Sequence, residues 1–529
     1  MRNVIFFFLL AVSGSMLAQS RLESVIPAPT QITLQAGSFT FTPTTLLLAH
    51  DFEAFKDAIA FRDMCLQWKG LPLKTAIKPI GKGPFIEVHY DSTSTIPPGG
   101  YTMVIEPEKI IITASGDGGI FYGLMTLLQG MEGDKNSGFT IACATVEDAP
   151  QFSWRGMHLD VSRHFFDVAD IKSYLDYMAL FKMNSFHWHL TDDQGWRAAI
   201  QQYPLLTEVG GWRNGTMVGH YNDQQWDTIR YGGYYTQKEM QEVVEYATER
   251  HINVVPEIEM PGHAMAAIAA YPSLACTEGP FEVGQSWGVY EDVFCPSETT
   301  FAFLENVLTE IMSIFPSPVI HIGGDEVPKT RWKACSHCQQ LMRKEGLANE
   351  EELQSYFIQR IEKFVNQNGR VIIGWDEILE GGLAPNAMVM SWRGTNGGIA
   401  AAQAGHQVVM SPNNDCYFDH YQGPPESEPL AIGGMTTLEE VYAYEPIPTA
   451  LAETQRKYIL GAQGNVWTEY IPNFEQVEYM ALPRMIALAE VVWTGEQRGA
   501  FTDFRERLGV QLELLDAAYV NYSRSWKMQ

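Results

Sequence analysis

After Pro150, short apolar runs repeatedly end in acids, histidines, arginines or tryptophans. The run ends are Asp160-Val-Ser-Arg163-His164, His187-Trp188-His189-Leu-Thr-Asp192-Asp193, Glu257-Ile-Glu259-Met-Pro-Gly-His263 and His321-Ile-Gly-Gly-Asp325-Glu326. They continue with Trp375-Asp376-Glu377, Trp392-Arg393, Asn414-Asp415-Cys416-Tyr417-Phe418-Asp419 and Trp467-Thr468-Glu469. Ionisable groups and indoles delivered repeatedly to one end of successive strands are what a catalytic face requires, whereas scattered surface charge would not align in this way.

The elements that must position these residues alternate short apolar segments with longer stretches of helical spacing, the pattern of parallel strands joined by crossover helices. Strands are expected to begin near Gly156, Ser185, Asn253, Val319, Val371, Ala387, Gln407 and Ile459. Between them fall helical stretches at Asp170 to Lys182, Thr236 to Arg250, Glu298 to Phe315, Glu350 to Asn368 and Gly397 to Ala404, with Phe474 to Val492 after the last strand. Eight such units predict an α/β chain with a (β/α)8 barrel, whose chemistry lies where strands end and loops begin.

The segment from Leu22 to Val146 reads differently. Extended stretches at Phe39 to Leu48, Phe85 to Tyr90, Tyr101 to Ile105 and Ile110 to Ala114 adjoin through short turns, with helical spacing at Phe52 to Trp68 and Gly119 to Met131. A smaller α+β domain, partly antiparallel with helices on one face, is expected over residues 19–149, with Asp148-Ala149-Pro150 as linker and the barrel over 150–529.

Hydrophobic residues make up 46% of the 529 and charged residues 19%, enough apolar side chain for a large core and too little charge for a disordered chain. Lys and Arg number 36 against 63 Asp and Glu, a net charge of −27 that would repel a phosphate backbone, so nucleic acid is excluded as a partner. Thirteen tryptophans suit either a core or stacking against the flat apolar faces of sugar rings. Met1-Arg2-Asn3, the apolar run Val4 to Val12 and Ala18 read as a secretory signal over residues 1–18, cut between Ala18 and Gln19. Export to a bacterial periplasm or the extracellular space is therefore expected, and no other apolar stretch has the length of a membrane span.

Seven cysteines leave at least one unpaired. Cys335-Ser-His-Cys338 has the spacing of half a zinc site, but no second pair follows it, so plain thiols or a local disulfide are expected there. Cys276 and Cys295 flank a loop and could be bridged in an exported protein, a link that would be structural and not catalytic.

Three of the motifs carry a resemblance. His321 to Glu326, with Arg155-Gly-Met-His-Leu-Asp-Val-Ser-Arg-His-Phe165 and His187 to Asp193, is similar to the β-N-acetylhexosaminidases of glycoside hydrolase family 20, and the first domain resembles the non-catalytic domain that precedes their barrel. The resemblance implies an exo-acting, retaining hydrolase that removes terminal non-reducing β-linked N-acetylglucosamine or N-acetylgalactosamine from an oligosaccharide or glycoconjugate, with no cofactor. In this reaction the 2-acetamido carbonyl of the substrate attacks the anomeric carbon, forming an oxazolinium, so the protein supplies an acid and an acetamide partner in place of a nucleophile. By resemblance Glu326 is the acid/base and Asp325 the acetamide partner. Trp375, Trp392 and Trp467 wall the acetamide methyl and the ring, Tyr417 bonds the acetamide oxygen, and Asp419 makes a further polar contact. Arg163, Asp192 and Glu469 grip hydroxyls, the alternative for Arg163 with Asp192 being a structural ion pair at the barrel rim. His263 and Glu259 resemble a supporting pair beside the acid.

Three rival readings remain, the first a non-catalytic glycan-binding protein on an inactive barrel, against which the intact Asp325-Glu326 pair argues. His187-Trp-His189 is also how amidohydrolase barrels begin a metal site, with His263 and His321 as the further ligands. A family member that releases a disaccharide would differ only in pocket depth, shaped by loops such as Ser411 to Pro448.

Overall fold

In a computed structural model the described residues are 20–42, 44–78 and 83–528; the expected signal sequence lies outside them. The first domain is a mixed sheet in the order β1 (Gln31–Phe41), β8 (Gly138–Asp148), β5 (Tyr101–Ile105), β6 (Lys109–Ala114), β4 (Phe85–Tyr90), β2 (Leu46–Ala49), β3 (Lys74–Ala76), with β7 (Glu132–Asp134) paired to β8. The pairings of β1, β5, β6 and β8 with one another are antiparallel, whereas β4 runs parallel to β6 and β2 parallel to both β3 and β4. Helices α1 (Phe52–Lys69) and α2 (Gly119–Gly130) pack together against it. Asp51 caps α1 by accepting from the Ala54 N–H at 2.7 Å, and Gly70, at φ 66°, ends it.

Three expectations for this part are corrected. Phe39 to Leu48 is not one strand, because Thr42 and Thr45 close a turn on each other: the Thr42 N–H donates to Thr45 Oγ1 and the Thr45 N–H to the Thr42 carbonyl, both at 2.9 Å. The long strand β8 goes unread in the sequence. Asp148 is the buried last residue of β8.

The remainder closes an eight-stranded parallel barrel from β9 (Trp154–Asp160), β10 (Ser185–His189), β11 (Asn253–Glu257), β12 (Val319–His321), β13 (Val371–Trp375), β14 (Met388–Ser391), β15 (Val408–Met410) and β16 (Ile459–Gly464). Every residue of β9, β10 and β14 is buried, as expected of strands covered on both faces. Trp154, Val255, Val319, Ile373, Met388 and Val409 pack with one another inside the barrel, apart from the main core. Crossover helices start at polar caps: Asp167 for α3 (Val168–Leu180), Thr236 for α4 (Gln237–Thr248), Ser297 for α5 (Glu298–Ile314) and Asn349 for α6 (Glu350–Gln367). The expected helix from Phe474 to Val492 is two, Phe474–Ala481 and Arg484–Thr494, because Pro483 has no N–H to continue the first.

All seven cysteines are free, so the Cys276–Cys295 bridge that the sequence leaves open is not formed. These two stand instead with Cys335 and Cys338: the pair that could complete a four-sulfur set precedes Cys335 in the chain.

The two domains are tied through Asp148, which accepts from Lys182 Nζ, Trp493 Nε1 and the Tyr101 hydroxyl, each at 2.9 Å, in a place where both ionic side chains are fully buried. Removing one partner of such a pair strands the other charge without water. Asp148→Ala is expected to destabilise the protein by about 3–5 kcal/mol in denaturant unfolding; a loss below about 1 kcal/mol, the value of a surface pair, would show that Lys182 is not held by this contact.

Candidate active site

The strand ends and the loops after them surround a cavity of about 560 Å³. Every site residue expected from sequence lines it, with at least one contributed by each of the eight strands or the loop that follows. Arg163 comes after β9, Asp192 after β10, Glu259 and His263 after β11, and Asp325 with Glu326 after β12. Trp375 ends β13, Trp392 follows β14, Tyr417 and Asp419 follow β15, and Trp467 and Glu469 follow β16.

Asp325 and Glu326 do not extend strand β12, which ends at His321. Gly323, Gly324 and Glu326 have φ of 66°, 94° and 45°, so the two acids diverge through left-handed backbone. A Cβ on Gly323 would lie 1.7 Å from Glu259 Oε2, so only glycine fits there. The Asp325 side chain is 12% exposed and that of Glu326 41%: one acid lies in the wall and the other faces the opening.

His263 joins the two sides of the pocket. Its Nδ1 is 3.0 Å from Asp193 Oδ2 and 3.2 Å from Asp192 Oδ1, while Nε2 is 3.5 Å from Asp325 Oδ2 and 3.6 Å from Glu326 Oε2. Burial would push its pKa down, but these carboxylates, Asp192 foremost, hold it well above the usual histidine range. The imidazolium in turn lowers the pKa of Glu326, against the effect of burial. The expected Glu259–His263 pair is thereby corrected, since the ring nitrogens of His263 face Asp192 and Asp193 on one side and Asp325 and Glu326 on the other. Neither carboxyl oxygen of Glu259 has a hydrogen-bond partner among the described residues. Burial and the neighbouring Asp325 charge raise the Glu259 pKa well above the carboxylate range, so it is a neutral acid in the wall.

Arg163 is both an ion-pair partner and part of the pocket. Its guanidinium reaches Asp192 at 2.9 Å, Asp160 at 3.1 Å and Glu469 at 3.6 Å, and Nε donates to Gln194 Oε1 at 2.9 Å. The same group lies 5.1 Å from the Trp467 ring centre. Trp467 stands 5.8 Å from Trp375, and Trp392 stacks on Tyr417 at 6.1 Å and 21°. These indoles are anchored by acids: Trp375 Nε1 donates to Glu257 Oε1 at 2.9 Å and Trp392 Nε1 to Glu377 Oε2 at 2.8 Å. Burial raises the pKa of Asp419 well above the carboxylate range, and Glu469 adds to the rise.

His187 and His189 lie below this surface and do not line the cavity. Glu257 draws both in, with His187 Nε2 at 3.0 Å from Oε2 and His189 Nδ1 hydrogen-bonded to the same oxygen, while His321 Nδ1 sits 2.7 Å from Oε1. Burial lowers the His187 pKa to about 4, whereas Glu257 and Asp192 overcome burial at His189 and raise it to about 10. Of the histidines singled out as rival metal ligands, His187, His189 and His321 gather on Glu257 beneath Trp375, in sets whose spacing could hold an ion, whereas His263 faces another carboxylate set.

Sequence reasoning missed several lining or supporting groups. Asp193 sits in the same motif as Asp192 and could have been found there; Glu377 was in view beside Trp375. Tyr221, Trp287, Val289, Ile432 and Tyr470 reach the cavity from long loops, where no periodicity marks them.

Residues 152–496 match the glycosyl hydrolase family 20 catalytic domain, and residues 23–149 match glycosyl hydrolase family 20, domain 2. A beta-hexosaminidase of Porphyromonas gingivalis is 44% identical over 507 residues, 94% of this chain; the chain spans 64% of that protein's length, under two thirds. Among solved structures, the exo beta-N-acetylglucosaminidase of Vibrio harveyi in complex with N-acetylglucosamine is similar at TM-score 0.86 and 33% identity, covering 96% of this chain and 79% of that one. The Streptomyces plicatus N-acetyl-beta-hexosaminidase in complex with Thio-NAglucal is similar at TM-score 0.83 and 29% identity, covering 96% and 97%.

The neutral Glu259 makes a prediction about stability. The folded chain keeps a proton that the unfolded chain loses above about pH 4.3. Its contribution is therefore complete below that pH and shrinks as pH rises toward the raised folded value. Glu259→Gln carries no such proton, so its thermal midpoint, followed from pH 4 to 7, should gain relative to the parent as pH rises. Parallel curves would show that Glu259 is ionised in the folded protein.

Proposed function

The chain belongs to glycosyl hydrolase family 20, and from that premise we propose that it is an exo-acting β-N-acetylhexosaminidase. It removes terminal non-reducing β-linked N-acetylglucosamine or N-acetylgalactosamine from oligosaccharides and glycoconjugates with retention. The observation that carries this reading is the convergence of two adjacent but differently exposed carboxyls, an aromatic box and an arginine–carboxylate cluster in one cavity. Export, to the periplasm or beyond the cell, is part of the proposal and rests on the leader-like start of the sequence.

In the proposed reaction the acetamide oxygen attacks the anomeric carbon while Glu326 gives its proton to the departing glycosidic oxygen. The resulting oxazolinium is opened by water, whose proton returns to Glu326; two inversions give retention. Asp325 accepts the amide N–H and stabilises the positive charge that grows on it. The box of Trp375, Trp392 and Trp467 excludes water from the acetamide, and Tyr417 donates to its oxygen. Arg163, Asp192 and Glu469 hold hydroxyls of the terminal sugar, with Asp419 as a further polar contact. In the free protein His263 keeps Glu326 acidic, and a sugar that covers its exposed carboxyl opposes this through desolvation, moving Glu326 toward the protonated form an acid needs.

The two acids should separate when the leaving group is varied. Glu326→Gln should cost most with a natural disaccharide and much less with an activated aryl glycoside, whose oxygen leaves unprotonated. Asp325→Ala should slow both. Replacing the substrate's N-acetyl by N-trifluoroacetyl should slow the unmodified enzyme, because the carbonyl oxygen is a weaker nucleophile; a rate indifferent to that change, or a sugar trapped on Asp325, would sink substrate assistance.

Recognition is tested separately. Arg163→Ala should lower kcat/KM by roughly 10²-fold or more, since charged hydrogen bonds in a water-poor pocket are strong. An unchanged kcat/KM in a folded variant would leave Arg163 with only its structural ion pairs.

A further inference from the structure

Four of the seven cysteines meet at one place outside the cavity. The sulfurs of Cys276, Cys295, Cys335 and Cys338 all lie within 4.8 Å of one another; Cys338 Sγ is 3.5 Å from that of Cys276 and 4.0 Å from that of Cys295. A disulfide would hold two sulfurs at about 2.05 Å. Four thiolates around a tetrahedral zinc, each about 2.3 Å from it, stand about 3.8 Å apart, a value that lies between the two distances from Cys338. We propose that these four cysteines form a closed structural zinc site.

The local fold brings the two halves together. Ala275 and Phe294 form an antiparallel bridge, and the Cys295 N–H donates to the Leu274 carbonyl at 2.8 Å, so Cys276 and Cys295 become neighbours across an 18-residue excursion. The other half, with only two residues between its cysteines, starts the helix Ser336–Glu345: Cys335 is its N-cap and Cys338 lies in its first turn. Trp332 Nε1 donates to the Phe294 carbonyl at 3.0 Å, locking the halves to each other. Val293, Val327, Trp332, Met342 and Leu353 wrap the sulfurs in apolar side chains, which exclude competing water ligands. Binding displaces one proton from each cysteine that is still a thiol and changes no oxidation state.

Such a centre would tie the loop after β11 to the segment after β12. The first loop carries Trp287 and Val289 into the cavity; the second begins at Asp325 and Glu326. Zinc here holds the pocket wall in place and takes no part in the reaction, so the inference is independent of the proposed substrate.

The full chain, purified without added metal or chelator, should contain one zinc per chain by elemental analysis. All seven cysteines should be alkylatable when it is unfolded in chelator, as thiols held by a metal and not by disulfides would be, and cobalt(II) reconstitution should give the sulfur-to-metal absorption of a tetrahedral thiolate site. Cys338→Ser should lose the metal and melt several degrees lower. Zinc-free protein whose intact mass is short of four hydrogens would mean two disulfides and overturn the proposal. So would zinc-free protein with four free thiols that binds neither metal, or a Cys338→Ser variant that keeps its zinc and its melting temperature.

Discussion

A wall of carboxyl groups cannot be charged throughout, and the pocket depends on how two cations divide it. Arg163 gathers Asp160, Asp192 and Glu469; His263 stands between Asp192 with Asp193 and Asp325 with Glu326. Asp192 is shared, so the two sets form one network running from the hydroxyl-binding side to the acid pair. At Glu259 and Asp419 burial and neighbouring carboxylates outweigh the pull of His263 and of Arg163, and their pKa values rise well above the ordinary carboxylate values. Neighbouring carboxyls thereby take different protonation states, the condition for using two of them differently in one reaction.

The barrel was legible because each strand couples an apolar run to a chemically marked end. Expected starts at Ser185, Asn253, Val319, Val371 and Ile459 are those of the folded strands, and every marked end contributes at least one residue to one cavity. What the sequence hid depended on backbone conformation or on long loops. The divergence of Asp325 and Glu326 comes from positive φ, which a strand-like reading does not contain. The partners of His263 arrive from the loop after β10, so a search four residues upstream found Glu259 instead of Asp193. The long strand β8 follows a turn with no apolar alternation ahead of it.

The cysteines show the same limit. Reading forward from Cys335 and Cys338 finds no matching pair, because the partners lie upstream and are themselves separated by a loop that only a folded bridge closes. Spacing rules recognise ligands on a compact knuckle; they miss ligands that converge from two loops of a large barrel.

The contact of Asp148 with Lys182 and Trp493 has a consequence for how this protein can be cut and recombined. Among the described residues the first domain contributes none to the cavity, yet its last strand delivers the carboxylate partner of a fully buried ammonium of the barrel domain. A barrel excised at Pro150 would keep that ammonium and lose its counterion. Nor could a foreign domain be grafted in its place unless it brought an acid to the same spot. The two units therefore travel as one inheritable part, and a shorter catalyst made from this chain would first need Lys182 exchanged for an uncharged side chain.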